Sequence, residues 1–206
     1  MIAIALLRHG RTAWNEMGRI QGHADIPLSE RGRSELAALS LPPDLIGTRW
    51  FASPLARALE TARCLEVAAP EPAPALIEMD WGRWSGATLA ALRAADPDGM
   101  AENEARGLDF RPLGGETPRE AGARVMDWLA SLEGAVAHCA AVTHKGIILV
   151  LIAQAMHWDM TGPPPVKVNW TALHRFTFHN GTLRAERLNE PLPRRSDPSG
   201  DGAHGA

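Results

Sequence analysis

Arg8, His9 and Gly10 follow directly on an apolar run, Ile2 to Leu7, and the segment continues Arg11-Thr12-Ala13-Trp14-Asn15 to Gln21-Gly22. An imidazole at the carboxyl end of a buried strand, between an arginine and a turn glycine, is placed to meet a phosphate. Taken alone, the tripeptide would read as a surface turn. Its weight comes from four further pieces in order: Ser53-Pro54-Leu55-Ala56-Arg57-Ala58, Glu78, Gly115-Glu116-Thr117, and Thr143-His144-Lys145-Gly146. Phosphoryl transfer needs charge neutralised on three non-bridging oxygens, an in-line nucleophile, and a proton for the leaving oxygen. His9 can attack phosphorus if its ring is neutral, and neighbouring arginines disfavour the imidazolium. Which ring nitrogen attacks is not set by sequence. Arg8 and Arg57 suit a bidentate clamp on phosphate. Arg57 also opens a helix directly after a strand, where backbone N–H groups favour an anion. Asn15 can donate to the same oxygens, and a protonated His144 would stabilise transition-state charge. Glu78, next to Met79, Trp81 and Trp84, is the candidate general acid, a role that burial of a carboxyl group promotes. Glu116 is a second carboxyl candidate, although helix capping explains it almost as well.

These residues need elements that end at one place. Ile2 to Leu7 lacks polar alternation, as suits a central strand covered on both faces. Ser29 caps a helix to about Leu39, and Trp50 to Ala52 reads as the next strand. Pro54 then opens a helix to about Ala68, followed by a Pro-rich loop and a short extended segment around Leu76-Ile77. Ser85 to Ala95 has helical composition, Asp96-Pro97-Asp98-Gly99 breaks it, and the stretch from Met100 to Gly115 reads as a lid or specificity loop. Thr117 caps a helix to about Leu132, with Pro118 first and Glu120 at the capping-box position. Ala140 to Thr143 is a strand and Gly146 to His157 an apolar helix. Val168 to Phe178 and Thr182 to Leu188 form a hairpin about Asn180-Gly181. The expectation is an α/β three-layer sandwich: a mostly parallel central sheet, helices on both faces and an antiparallel edge hairpin. Strand carboxyl ends in such folds gather ligand sites. Residues 1–190 are read as a single domain and 191–206, rich in Pro, Gly, Ser and charge, as a disordered tail.

Composition narrows the classes. A chain of 206 residues with 45% hydrophobic and 22% charged residues is an ordinary globular composition. A net charge of -3 offers no footprint for nucleic acid or an anionic membrane. Two cysteines, Cys64 and Cys139, are too few for a disulfide framework and lack metal-ligand spacing. The N-terminal run lacks the pattern of a secretory signal, so the expected location is cytoplasmic.

The ordered motifs resemble the histidine phosphatase superfamily, the branch containing phosphoglycerate mutases and related phosphomonoesterases. The likeness runs to about Leu188 and is strongest over the first 22 residues and Ser53 to Ala62. It implies that His9 is the phosphorylated histidine, that Arg8, Arg57 and His144 form the phosphate pocket, and that Glu78 is the proton donor. By the same likeness Asn15 is the pocket asparagine, Gln21-Gly22 lies beside the substrate, and neither metal nor organic cofactor is needed. Three positions depart from it. Lys145 stands where many relatives carry glycine, Ser85 replaces a common glutamate, and the segment between Ser85 and Thr117 is shorter than in the cofactor-dependent mutases.

The leading expectation is a phosphomonoesterase of histidine acid phosphatase type, hydrolysing a small phosphorylated metabolite through phosphohistidine. A phosphoglycerate mutase, a protein phosphatase and a non-catalytic phospho-ligand module are the alternatives. Trp14, Met17, His23, Phe110 and Arg111 are candidates to line the pocket, although packing or surface roles account for each as well. The substrate and the oligomeric state are left open.

Overall fold

The computed structural model describes residues 1–195. Its six strands are β1 (Ile2–Arg8), β2 (Arg49–Ala52), β3 (Glu71–Pro72), β4 (His138–Thr143), β5 (Ala172–His179) and β6 (Thr182–Pro191). They form one sheet in the order β3-β2-β4-β1-β5-β6. Pairings among β1 to β4 are parallel, whereas β5 runs antiparallel to β1 and to β6. The expected mostly parallel sheet with an antiparallel edge hairpin is what forms.

Among the described residues the α-helices are α1 (Ala13–Glu16), α2 (Glu30–Ala37), α3 (Ala56–Cys64), α4 (Leu89–Ala95), α5 (Pro97–Glu104), α6 (Pro118–Leu132) and α7 (Lys145–Met156). Side chains alternate across a strand, so β1 feeds two cores. Ile2, Ile4 and Leu6 join one face with Val125 and Leu129 of α6 and Ile148 and Leu151 of α7. Ala5 and Leu7 join the other with Leu36 of α2 and Ala58 and Ala62 of α3. A strand buried on both faces carries no polar alternation, which is why the Ile2 to Leu7 run was legible as central.

Several local expectations are corrected. Of Leu76-Ile77 only Ile77 is extended: Pro74–Leu76 is a 3-10 turn and the short strand lies earlier, at Glu71–Pro72. Pro54 does not open α3, which starts at Ala56 with Leu55 extended before it. Asp96 ends α4 and at once caps α5, its carboxylate accepting Gly99 N–H at 3.0 Å. The Asp-Pro pair therefore starts a helix as well as stopping one, since Pro fits a first helical turn. The segment expected to be a loop from Met100 to Gly115 holds most of α5 and a 3-10 turn at Gly107–Asp109. Of the tail expected to be disordered from 191, residues 196–206 lie outside the described residues. Before them, Leu192 is buried, Ser40 N–H donates to Pro193 O at 2.9 Å, and Arg195 N–H donates to Ala38 O at 3.0 Å.

Candidate active site

The carboxyl ends of β1, β2 and β4 lie side by side, so Arg8-His9, Ser53 and Thr143-His144 emerge at one edge of the sheet. His9 is buried, with its ring centroid 5.1 Å from that of His144. Its Nδ1–H donates to Gly10 O at 2.7 Å, because a carbonyl can only accept. The neutral ring then keeps its lone pair on Nε2. Burial first, then Arg8 and Arg57, hold the His9 imidazole well below its ordinary pKa.

Arg57 has no exposed surface, an unusual position for a guanidinium. Its Nε–H donates to His144 Nδ1 at 3.3 Å, and its terminal nitrogens donate to Ala24 O at 2.7 Å and Gly22 O at 2.8 Å. Each terminal nitrogen retains a second N–H. Desolvation lowers its pKa to about 10, which leaves it charged at neutral pH. Gly22 holds φ at +50°, and a Cβ there would come within 3.1 Å of Trp81 N. Only glycine turns this carbonyl towards Arg57 without strain.

His144 is wholly buried and accepts from Arg57, so its proton resides on Nε2, which donates to Ser53 Oγ at 2.7 Å. Burial, followed by His9 and Arg57, holds it well below the ordinary imidazole range. The imidazolium form of His144 is therefore disfavoured in the free protein, and His144 stands behind Arg57 and His9 instead of lining the cleft. The expected anion seat at the head of α3 is likewise taken: Asp25 Oδ1 accepts Ala56 N–H at 2.7 Å. Nothing in the local sequence pairs Asp25 with Ala56.

Asn15 and Gln21 are both held by their oxygens. Asn15 Oδ1 accepts Thr12 N–H at 3.1 Å, and Gln21 Oε1 accepts the Thr12 hydroxyl at 2.9 Å. Their NH₂ groups are left as donors for the cleft, which both residues line. Glu78 is only 9% exposed. Its Oε1 accepts Met79 N–H at 2.9 Å and its Oε2 accepts Gly146 N–H at 3.3 Å.

The backbone that carries Glu78 is gripped from α6. Arg124 donates to Ala75 O, to Ile77 O at 2.8 Å and to Glu78 O at 3.2 Å, and pairs with Glu116 at 2.8 Å and 3.0 Å. Glu116 therefore serves this clip and does not line the cleft. His23 Nε2–H also donates to Glu78 O, at 2.8 Å.

These groups border a cleft of about 880 Å³, which brings together Arg8, His9, Asn15, Gln21, Gly22, Arg57 and Glu78. Phe110 lines it too, whereas Trp14, Met17, His23 and Arg111 do not. Arg111 is engaged with Glu120 at 2.6 Å. Nothing in the sequence singles out Trp170, which the expected strand Val168 to Phe178 would contain; it lies just before β5 and carries Arg8 at 5.8 Å and Lys145 at 5.4 Å from its ring centroid. Among the described residues no cluster of three or more His, Cys, Asp or Glu could hold a metal ion, and no helix is long and apolar enough to cross a membrane.

The chain is similar to known proteins. The chain is 32% identical over 102 residues to an acid phosphatase from Mycobacterium tuberculosis, covering 46% of this chain and 48% of that protein. It is 31% identical over 134 residues to a 2,3-bisphosphoglycerate-dependent phosphoglycerate mutase from Gloeobacter violaceus, covering 60% of each. The matched stretches thus span about half to three fifths of these relatives' length. A mycobacterial glucosyl-3-phosphoglycerate phosphatase, solved with VO3, superposes with a TM-score of 0.73 at 26% identity, covering 92% of this chain and 100% of that one. The sheet and its flanking helices are the phosphoglycerate mutase-like architecture. With the model of the histidine phosphatase superfamily (branch 1) matching residues 4–191, the chain belongs to that superfamily.

Proposed function

We propose that the protein is a phosphomonoesterase that hydrolyses a small phosphorylated metabolite through a phosphohistidine on His9. The observation that carries the reading is the fixed tautomer of His9, whose Nδ1–H is spent on Gly10 O, with Arg8 and Arg57 bordering the same cleft. In the first step Nε2 attacks phosphorus, the N–P bond forms as the P–O ester bond breaks, and the leaving oxygen takes the proton of the Glu78 carboxyl. In the second, Glu78 takes a proton from water, whose oxygen attacks phosphorus and breaks the N–P bond. His9 is restored and inorganic phosphate leaves.

Arg8 and Arg57 balance the two charges of the phosphoryl group, with the Asn15 and Gln21 amides as further donors and the Gly22 carbonyl aiming Arg57. His144 is a positioning residue in this reading, holding Arg57 through Nδ1. No step calls for a metal or an organic cofactor. The single domain is taken to run from residue 1 to about 190, and the two unpaired thiols agree with a reducing, cytoplasmic setting. The printed names of relatives include acid phosphatase, glucosyl-3-phosphoglycerate phosphatase and phosphoglycerate mutase. The mutase names favour a second reading, in which the phosphoenzyme returns its group to a second hydroxyl instead of to water.

Incubation with a labelled phosphomonoester separates these outcomes. His9→Ala abolishes an acid-labile, alkali-stable phosphoenzyme, while Glu78→Gln slows turnover by about 10²–10⁴-fold and lets it accumulate. Labelling that survives His9→Ala refutes the assignment. Isomerisation of 3-phosphoglycerate outpacing phosphate release would favour the mutase.

A further inference from the structure

The two guanidiniums that border the cleft are held in different ways. Arg57 is aimed by hydrogen bonds to His144, Ala24 O and Gly22 O. Arg8 closes β1, and its Nε is buried with no hydrogen-bond partner among the described residues. Burial is the main influence on Arg8 and lowers its pKa, more than the attraction of Glu78 restores. What Arg8 has instead is a ring. Its guanidinium carbon lies over Trp170, 5.8 Å from the centroid, and Trp170 lines the same cleft. The face of an indole attracts a cation within about 6 Å, and more strongly where water is excluded.

A ring can hold an arginine only if the ring is itself fixed. Trp170 sits in the turn before β5, and that turn is pinned on both sides. Asn169 Oδ1 accepts Thr171 N–H at 3.1 Å and the Thr171 hydroxyl at 2.9 Å. From β6, Asn189 Oδ1 accepts Asn169 N–H at 2.6 Å, and Asn189 Nδ2–H donates to Lys167 O at 3.0 Å. The pairing of β5 with β6 shifts register between Leu173 and Arg175, and Asn189 holds φ at +62°, a conformation asparagine adopts more readily than most residues. These four bonds fix the chain before and after Trp170 and leave the indole to face Arg8.

We propose that Trp170 is a positioning residue for Arg8, holding the guanidinium by the ring face so that its N–H donors stay unspent for the phosphoryl group. The role of Arg8 as a phosphate ligand rests on the phosphomonoesterase reading, whereas the contact with the ring does not. The two clamps then divide the work: Arg57 is fixed through its donors, and Arg8 is fixed with its Nε–H still free. Lys145 is exposed and lies 5.4 Å from the same centroid, so a test has to separate the two cations.

The probes are inorganic phosphate, bound calorimetrically, and two esters with unlike alcohols, phenyl phosphate and glycerol 3-phosphate. Trp170→Leu is expected to weaken phosphate binding by about fivefold to tenfold and to lower kcat/KM by a similar factor on both esters. Trp170→Phe, which keeps an aromatic face, should recover most of the loss. A loss confined to one ester would mean that the ring serves the alcohol, and it overturns the proposal. In an Arg8→Gln background Trp170→Leu should cost little more, while in a Lys145→Ala background its full effect should persist. Losses that simply multiply with Arg8→Gln, or that vanish with Lys145→Ala, overturn it too. If the native protein neither hydrolyses these esters nor binds phosphate, the hydrolase reading falls and NMR of the free protein decides the contact. An upfield ring-current shift of the Arg8 Nε–H resonance that Trp170→Leu abolishes keeps Arg8 on the ring; a resonance that does not move removes Trp170 from any positioning role.

Discussion

At the scale of single residues, the site works by spending hydrogen bonds to leave chosen atoms unspent. Gly10 O consumes the proton of His9 Nδ1, Thr12 consumes the oxygens of Asn15 and Gln21, and His144 consumes the Nε–H of Arg57. What remains facing the cleft is a lone pair, two amide donors and two guanidinium edges. Glu78 obeys the same logic, seated against the backbone N–H of Gly146. A Cβ on Gly146 would fall 2.4 Å from Glu78 Oε1, so no side chain fits beside the seated carboxylate. Gly146→Ala must push the carboxylate aside while barely touching the core. The expected result is a fall in kcat of about 10²-fold, with KM changed much less, since proton transfer depends on position within hydrogen-bond reach. Parallel assays of kcat, KM and the thermal midpoint check it; unaltered kcat would show that Glu78 needs no such seat.

Elements position these residues with unequal legibility. Local signals read well: Thr117, Pro118 and Glu120 announced the head of α6, and the structure closes that capping box with bonds of 2.9 Å and 3.1 Å. Asn180-Gly181 announced the hairpin, and both residues hold positive φ. The site histidines were legible because each follows a strand at once, and the arginines because Arg8 closes β1 and Arg57 lies in the first turn of the helix after β2. What sequence left hidden depends on pairs far apart in the chain: Asp25 capping α3, Trp170 under Lys145, and Arg124 reaching from α6 to the segment before Glu78. In a helix whose apolar stripe points inward, an arginine looks like solvated surface until the tertiary fold supplies its carbonyls. Arg124→Ala strands Glu116 and frees several backbone carbonyls, a loss of about 3 kcal/mol for a pair this enclosed. For a chain of this length that is about 6–12 °C in thermal midpoint. Turnover should fall in the same variant as the segment carrying Glu78 loosens. Calorimetric melting with a midpoint within about 1 °C of the native protein would show the clip to be ornamental.

For the whole molecule, building a phosphate site at the edge of a buried sheet means storing neutral imidazoles inside it. His9 and His144 sit between two cations behind β1 and β4, and His174 lies wholly buried in the middle of β5, its pKa lowered mainly by burial. All three are held below the ordinary imidazole value of about 6.5, so on acidification the unfolded chain binds protons first. Stability is therefore fully present above about pH 6.5 and declines as the pH falls, at up to about 1.4 kcal/mol per pH unit for each histidine. The decline continues until the folded protein itself takes up the protons. Carboxylates lowered by arginine partners, such as Glu190 beside Arg175, add their loss only in a more acidic window, below their ordinary values. His174 stands apart from the cleft, so it isolates the effect. His174→Leu should reduce the slope of unfolding free energy against pH by about one proton's worth between pH 6.5 and 5, with urea titrations at several pH values as the measurement. A flat profile across that interval in the native protein would mean that the interior accepts imidazolium, and a cleft built on a neutral His9 would then lose its nucleophile.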